Sequence, residues 1–220
     1  MRSAAKTFGH LITDMLYMNI PSVQGQLYVV HFVDCASRYC KPYLIKTRDE
    51  VCVCLQSFLD WIYPKSMYSV QTSETVWEEY SLTELMHMLG KNGSPFADII
   101  LSITNYQYTN AGVHEEADIA ERIWQTLQDS LRAIMCTAQF LKKEWTLGFQ
   151  HAVWLYNRIQ HNHHGNKISS FEFVTGLKPD LTQVRIFGAK CYKFQSKDRR
   201  VDKLAKSSEQ CLCVGHYVKK

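Results

Sequence analysis

The apolar positions of this chain change spacing along its length, from strand-like runs to helical stripes. His10 to Met15 reads as a short extended run, and Leu27 to Asp34, rich in Val, Tyr and Phe, as a stronger strand. Pro21 and the Gly25-Gln26 step supply turn chemistry between them, and Pro42 to Ile45 predicts a third strand. Three strands in such close succession leave no room for crossover helices, so an antiparallel meander is expected. Val51, Leu55, Phe58, Leu59 and Ile62 then recur at helical spacing over 48–63, and Pro64 ends the pattern. Tyr68 to Gln71 predicts a fourth strand. Ser81-Leu82-Thr83-Glu84 is a capping box for a helix that stops at Asn92-Gly93, and Ile99 to Ile103 predicts a fifth strand.

Beyond this point helices dominate. Ile119, Ile123, Leu127, Leu131, Ile134 and Ala138 mark one face of a helix from Glu115 to Phe140, and a second helix is expected from Lys142 to Gln160. His161 to Asn166 reads as a polar break. A short helix around Phe171 to Val174 ends at Gly176, and strand-like runs come after it at Val184–Phe187, Lys190–Phe194 and Leu212–His216. Strands alternating with helices after an opening meander predict an α/β fold with a mixed sheet. The organisation expected is a core over 1–165, a connecting segment over 166–183 and a small β module over 184–220.

Composition narrows the class. At 220 residues, 46% hydrophobic and 21% charged, the chain is long enough for one good core plus a small module. Its longest apolar stretch is too short to span a bilayer, and the basic N-terminus is followed by no apolar signal region. The eight cysteines include two Cys-x-Cys pairs (Cys52/Cys54 and Cys211/Cys213) and no Cys-x-x-Cys, and most sit in apolar runs; a reduced, intracellular setting is expected. The net charge of +4 permits nucleic-acid binding, and basic residues concentrate at Lys197, Arg199, Arg200, Lys203 and Lys206, a surface suited to phosphate.

Asp14 and Glu121 are the candidate chemistry. Asp14 is a lone carboxylate delivered by the apolar run Leu11-Ile12-Thr13, and Glu121 lies near the start of the long helix among Ala117, Ile119 and Ala120. Carboxylates that converge from separate elements are what divalent-cation catalysis of phosphoryl transfer requires, since Mg²⁺ takes hard oxygen ligands. Read alone, Asp14 also fits a turn former and Glu121 a surface ion pair beside Arg122. His161, His163 and His164 cluster, but no Cys or carboxylate lies nearby to complete a tetrahedral set, so no zinc site is expected.

An ordered series of segments carries more. Ile12-Thr13-Asp14, Tyr28 to Asp34 with Ser37-Arg38-Tyr39, and Lys46 to Val51 resemble the opening of copia-type retrotransposon integrase cores. Ile119-Ala120-Glu121-Arg122, Trp154 with Asn157-Arg158, Phe171-Glu172-Phe173 and Thr175 to Asp180 continue the resemblance. Val184 to Tyr192, Asp202-Lys203-Leu204 and Cys213 to Tyr217 complete it. The resemblance implies an RNase H-like mixed five-stranded sheet flanked by helices and followed by a truncated SH3-like β module. It also implies DNA as substrate, Mg²⁺ or Mn²⁺ as cofactor, action as a homo-oligomer and residence in the nucleus. Asp14 becomes the first metal ligand and Glu121 the last, with Arg122, Lys197, Arg199, Arg200 and Lys203 toward DNA. Asp34, Ser37 and Arg38 take structural roles beside the site.

The departures from that pattern are specific. The middle carboxylate of such cores is an Asp in an Asp-x-Gly-x-Glu-aromatic turn, and here the segment reads Thr72 to Tyr80. One alignment puts Thr75 in the Asp position and another puts Glu74 there, making Glu74 the third and weakest ligand candidate. Tyr17-Met18 stands where Gly-Pro follows the first Asp, and Ala117-Asp118 where Asn-Gly precedes the helix motif. The family's His/Cys zinc-binding domain has no counterpart in this sequence. The expectation is a DNA-binding core impaired in strand transfer; the alternative is a domesticated, non-enzymatic module for protein or nucleic-acid interaction.

Overall fold

The structure, a computed structural model, describes residues 8, 10–62, 72–75, 106–108, 114–163, 166–182, 184–196, 198, 200–202 and 206–215. Three antiparallel strands come first: β1 (His10–Tyr17), β2 (Tyr28–Asp34) and β3 (Cys40–Ile45). A 3-10 turn at Arg48–Glu50 leads into α1 (Val51–Ile62). Short strands β4 (Thr72–Thr75) and β5 (Tyr106–Tyr108) precede α2 (His114–Ala138) and α3 (Trp145–Tyr156). Among the described residues, strands 1–5 form one mixed sheet of order β3-β2-β1-β4-β5, in which β1–β2 and β2–β3 are antiparallel and β1–β4 and β4–β5 parallel.

Alternation along β2 sorts the core into two layers. Val29 and Val33 pack with Trp124, Leu127 and Phe149 on the α2/α3 side, whereas Val30 and Phe32 meet Phe58 of α1 on the other. Phe149 and Leu127 are both fully buried, each removing apolar area equivalent to about 2 kcal/mol from water. Gly148 lets α3 close on α2, because a Cβ there would lie 3.0 Å from both Leu131 and Met135. Gln139, in a left-handed conformation, ends α2.

The outer edge of β3 is finished by side chains. Asn157 is buried just past the end of α3; its Oδ1 accepts from Cys40 N–H (2.9 Å) and its Nδ2 donates to Cys40 C=O (2.8 Å). Pro42 lies two residues further along, at the same outward-facing parity, and has no N–H to leave unpaired. At the same end of the β2–β3 pair, Asp34 is fully buried, accepting from the N–H groups of Phe8 and Ser37 (both 3.0 Å) and from the Ser37 hydroxyl. With Arg38 in the left-handed region donating to Asp34 C=O, this fixes the β2–β3 turn. Arg158 lies between the rings of Trp154 (4.1 Å) and Phe171 (4.7 Å), tying α3 to α4 (Ser170–Thr175).

Several sequence expectations shift. α3 stops at Tyr156 rather than Gln160, because Asn157 turns its amide to Cys40. The expected polar break after it is a hairpin, β6 (Gln160–His163) with β7 (Asn166–Ser169). Val184–Phe187 is not a strand: Phe187 is buried against Phe140 and His151, docking the C-terminal hairpin onto the helices. That hairpin pairs β8 (Lys190–Phe194) with β9 (Ser208–Leu212), so the last strand begins earlier than the expected 212–216. The strands expected at 68–71 and 99–103 and the helix opening at Ser81 lie outside the described residues.

Candidate functional site

Asp14 lies in β1, the central strand, directly across from His31 of β2. Residues opposed in an antiparallel pair project to the same face, and for this pair the face is the one covered by α2 and α3, since Ile12, paired with Val33, shares its parity. Asp14 is half-buried. Its Oδ1 accepts from Met15 N–H (2.7 Å), and Oδ2 accepts no hydrogen bond among the described residues. Burial pushes the carboxyl up to about 6, against the smaller opposing effect of the Met15 N–H.

His31 is fully buried, and neither ring nitrogen has a hydrogen-bond partner among the described residues. Its ring lies flat on the indole of Trp124, with centroids 5.6 Å apart and planes 3° from parallel. The Trp124 Nε1 is likewise buried without a partner among the described residues. Each such orphaned group costs about 1–3 kcal/mol of unreplaced hydration. Burial also pulls the imidazole down to about 4, keeping it neutral at pH 7. Sequence reasoning passed over His31, because a single histidine within an apolar strand has no spacing signature; only the register puts it beside Asp14.

Glu121 is one helical turn before Trp124 on α2, on the flank of the core-facing stripe, and is exposed with its Oε1 accepting from Gln125 Nε2 (2.9 Å). Because α2 packs over β1 and β2 through that stripe, Asp14, His31 and Glu121 belong to the same side of the sheet. The β1–β4 register puts Glu74 opposite Ile12, the strand parity that Asp14 shares, and Thr75 opposite Thr13, the other parity. Asp34 has the opposite parity to Asp14 and is consumed by the β2–β3 turn. Among the described residues no group of three or more His, Cys, Asp or Glu is clustered closely enough to hold a metal ion by itself.

The basic residues singled out from the sequence divide. Arg122 is exposed on α2. Arg200 spends its guanidinium within the β8–β9 loop, donating from Nε (3.1 Å) and Nη2 (2.9 Å) to Gln195 C=O and covering the Phe194 ring. Lys197, Arg199 and Lys203 lie outside the described residues. The β8–β9 hairpin exposes Tyr192 and Phe194 to solvent beside Lys190 and Lys193. No helix among the described residues is long and apolar enough to cross a membrane.

No family model matches the chain. It is 24% identical over 212 residues to the retrovirus-related Pol polyprotein from transposon TNT 1-94 of Nicotiana tabacum, covering 93% of this chain and 15% of that protein. It is also 22% identical over 222 aligned positions to the retrovirus-related Pol polyprotein from transposon RE1 of Arabidopsis thaliana, covering 97% of this chain and 14% of that protein. The chain thus spans only a small part of the length of the curated relatives it matches. Similarity to such polyproteins along nearly its whole length supports a retrotransposon-derived sequence.

Proposed function

We propose that the chain is a retrotransposon integrase core with an RNase H-like fold, a domain that binds DNA and a divalent cation and is impaired in strand transfer. The observation that carries this reading is the position of Asp14 in the middle strand of a sheet ordered β3-β2-β1-β4-β5, with the Glu121 helix packed over that strand. Similarity to retrotransposon Pol polyproteins is compatible with this reading, and the resemblance of the motif series to copia-type integrase cores implies the chemistry, joining DNA ends. Action is as a multimer within the nucleus.

Asp14 suits Mg²⁺ or Mn²⁺: a carboxylate raised by burial, with an oxygen that no donor among the described residues satisfies, gains most from a neighbouring cation. Asp14 and Glu121 would hold the ion, and Glu74 of β4 is the third candidate, on the matching parity. When bound, the ion supplies Lewis-acid polarisation of phosphate oxygens. Glu74 is one methylene longer than the aspartate of intact cores, and Thr75 has no carboxylate; a site that needs sub-ångström placement loses rate on either count. Impairment is therefore a property of the third ligand, not of the sheet.

Two measurements test this. Binding of a duplex with transposon-end sequence, followed by fluorescence anisotropy, is expected at low salt and should weaken steeply with added salt. Strand transfer in Mg²⁺ or Mn²⁺ should be weak or absent. Robust turnover that Asp14→Ala abolishes would contradict impairment, and absence of DNA binding at low salt would favour the non-enzymatic protein-interaction module instead.

A further inference from the structure

We infer that His31 is a nitrogen ligand to the cation held at Asp14, so that this site takes first-row transition ions, Mn²⁺ included, in preference to Mg²⁺. The inference rests on the proposal that Asp14 binds a cation, and goes beyond it in assigning a donor that is not a carboxylate. Asp14 and His31 are directly opposed in the β1–β2 ladder, and such pairs have Cβ atoms about 5 Å apart on one face. A carboxylate oxygen and an imidazole nitrogen reaching from that separation share one ion at bond lengths of about 2.1 Å each.

Two features of the ring and one of its neighbour support the assignment. It is fully buried yet has no hydrogen-bond partner at either nitrogen among the described residues, a deficit that a metal bond removes. The parallel stack on Trp124 holds it in one plane, so little freedom is lost when it coordinates. Its neighbour Asp14 is only half-buried and has an oxygen to spare, which gives an ion a way in from solvent. Imidazole nitrogen contributes little to Mg²⁺ and more to first-row transition ions, of which Mn²⁺ gains least, so the selectivity for Mn²⁺ over Mg²⁺ is modest and its direction set by the ring.

The test is Mn²⁺ binding to the whole chain, followed by the loss of the free-ion electron paramagnetic resonance signal, with pulsed measurements on the bound ion to detect coupling to ¹⁴N. Wild type is expected to bind Mn²⁺ with ¹⁴N coupling, and Asp14→Asn to lose binding. His31→Val, a β-branched residue suited to the strand, should lose the ¹⁴N coupling and about tenfold in Mn²⁺ affinity while Mg²⁺ affinity, measured by competition, stays within about twofold. Bound Mn²⁺ without ¹⁴N coupling in the wild type overturns the His31 assignment and leaves the cation site at Asp14 standing. Coupling that persists in His31→Val assigns the nitrogen elsewhere and also overturns it. Failure of the folded wild type to bind Mn²⁺ removes both readings together. Should His31→Val not fold, the wild-type spectrum alone decides.

Discussion

The imidazole of His31 stacks on the indole of Trp124, the ring planes 3° from parallel and the centres 5.6 Å apart, and the ring is sealed from water. The neutral ring is therefore favoured in the fold, with its pKa drawn from 6.5 to about 4. Stability from this group is complete above pH 6.5 and drains as pH falls through 4, by about 3 kcal/mol in all. Asp14 works in the other direction. Its pKa rises from 3.8 to about 6, so its contribution is complete below pH 3.8 and is lost as pH rises through 6. Allowing for its partial exposure, that loss is about 1–2 kcal/mol.

The two slopes oppose each other over the same interval and the His31 slope is the larger, so wild-type stability is expected to fall by only about 1–2 kcal/mol from pH 6 to pH 4. Asp14→Asn should remove one slope, raising stability by about 1–2 kcal/mol at pH 7 and exposing a decline toward acid. Urea titrations in chelator at pH 4, 5, 6 and 7 measure this. A variant no more stable than wild type at pH 7 would count against a strained carboxylate at position 14.

His31→Val should show the mirror image, a stability that falls from pH 4 to pH 6 because only the Asp14 slope remains. Thermal melts across the same pH series check it. A profile for His31→Val that still worsens toward acid would mean that another buried group carries the sensitivity.

Asn157→Ala should be among the most damaging single changes outside the apolar core. It leaves both the N–H and the C=O of Cys40 buried without partners, a cost of about 2–4 kcal/mol. Asn157→Asp keeps the acceptor for the N–H but sets a carboxylate oxygen against the Cys40 carbonyl, so it should restore little. Denaturation midpoints at constant slope distinguish this local loss from a change in cooperativity.

Gly188→Ala should undock the β8–β9 hairpin without unfolding the sheet. The new Cβ would lie 2.5 Å from Ala138 Cβ, and the residue has φ +79°, which L side chains rarely adopt. Amide exchange at Gly188 and Cys213, whose backbone groups tie the hairpin to its base, should accelerate at least tenfold, while amides of β2 stay protected. Equal acceleration in both would show that the hairpin and the sheet unfold as one unit.

Strands β1–β3 and the helices were legible in the sequence because their signal is local: apolar spacing over a dozen residues suffices. β4 was not, since Thr72-Ser73-Glu74-Thr75 has no apolar run and is a strand only by pairing between β1 and β5. The β6–β7 hairpin hid for the same reason, its polar residues showing no alternation. Phe187 looked like a strand residue because aromatic content marks both strands and docking points. Asp14 and Glu121 stood out by residue type. His31 and the clamp of Asn157 on Cys40 depend on contacts between distant segments, which periodicity cannot encode.

The finish of β3 has a consequence for assembly. A second polypeptide seeking to extend the sheet from that side meets an amide already seated at Cys40 and, two residues on, an imino acid with nothing to donate. Cross-β growth is discouraged there at its first rungs. Any association between copies of this chain is therefore steered away from the β3 side, and the β3-β2-β1 ladder that carries Asp14 is not lengthened from there.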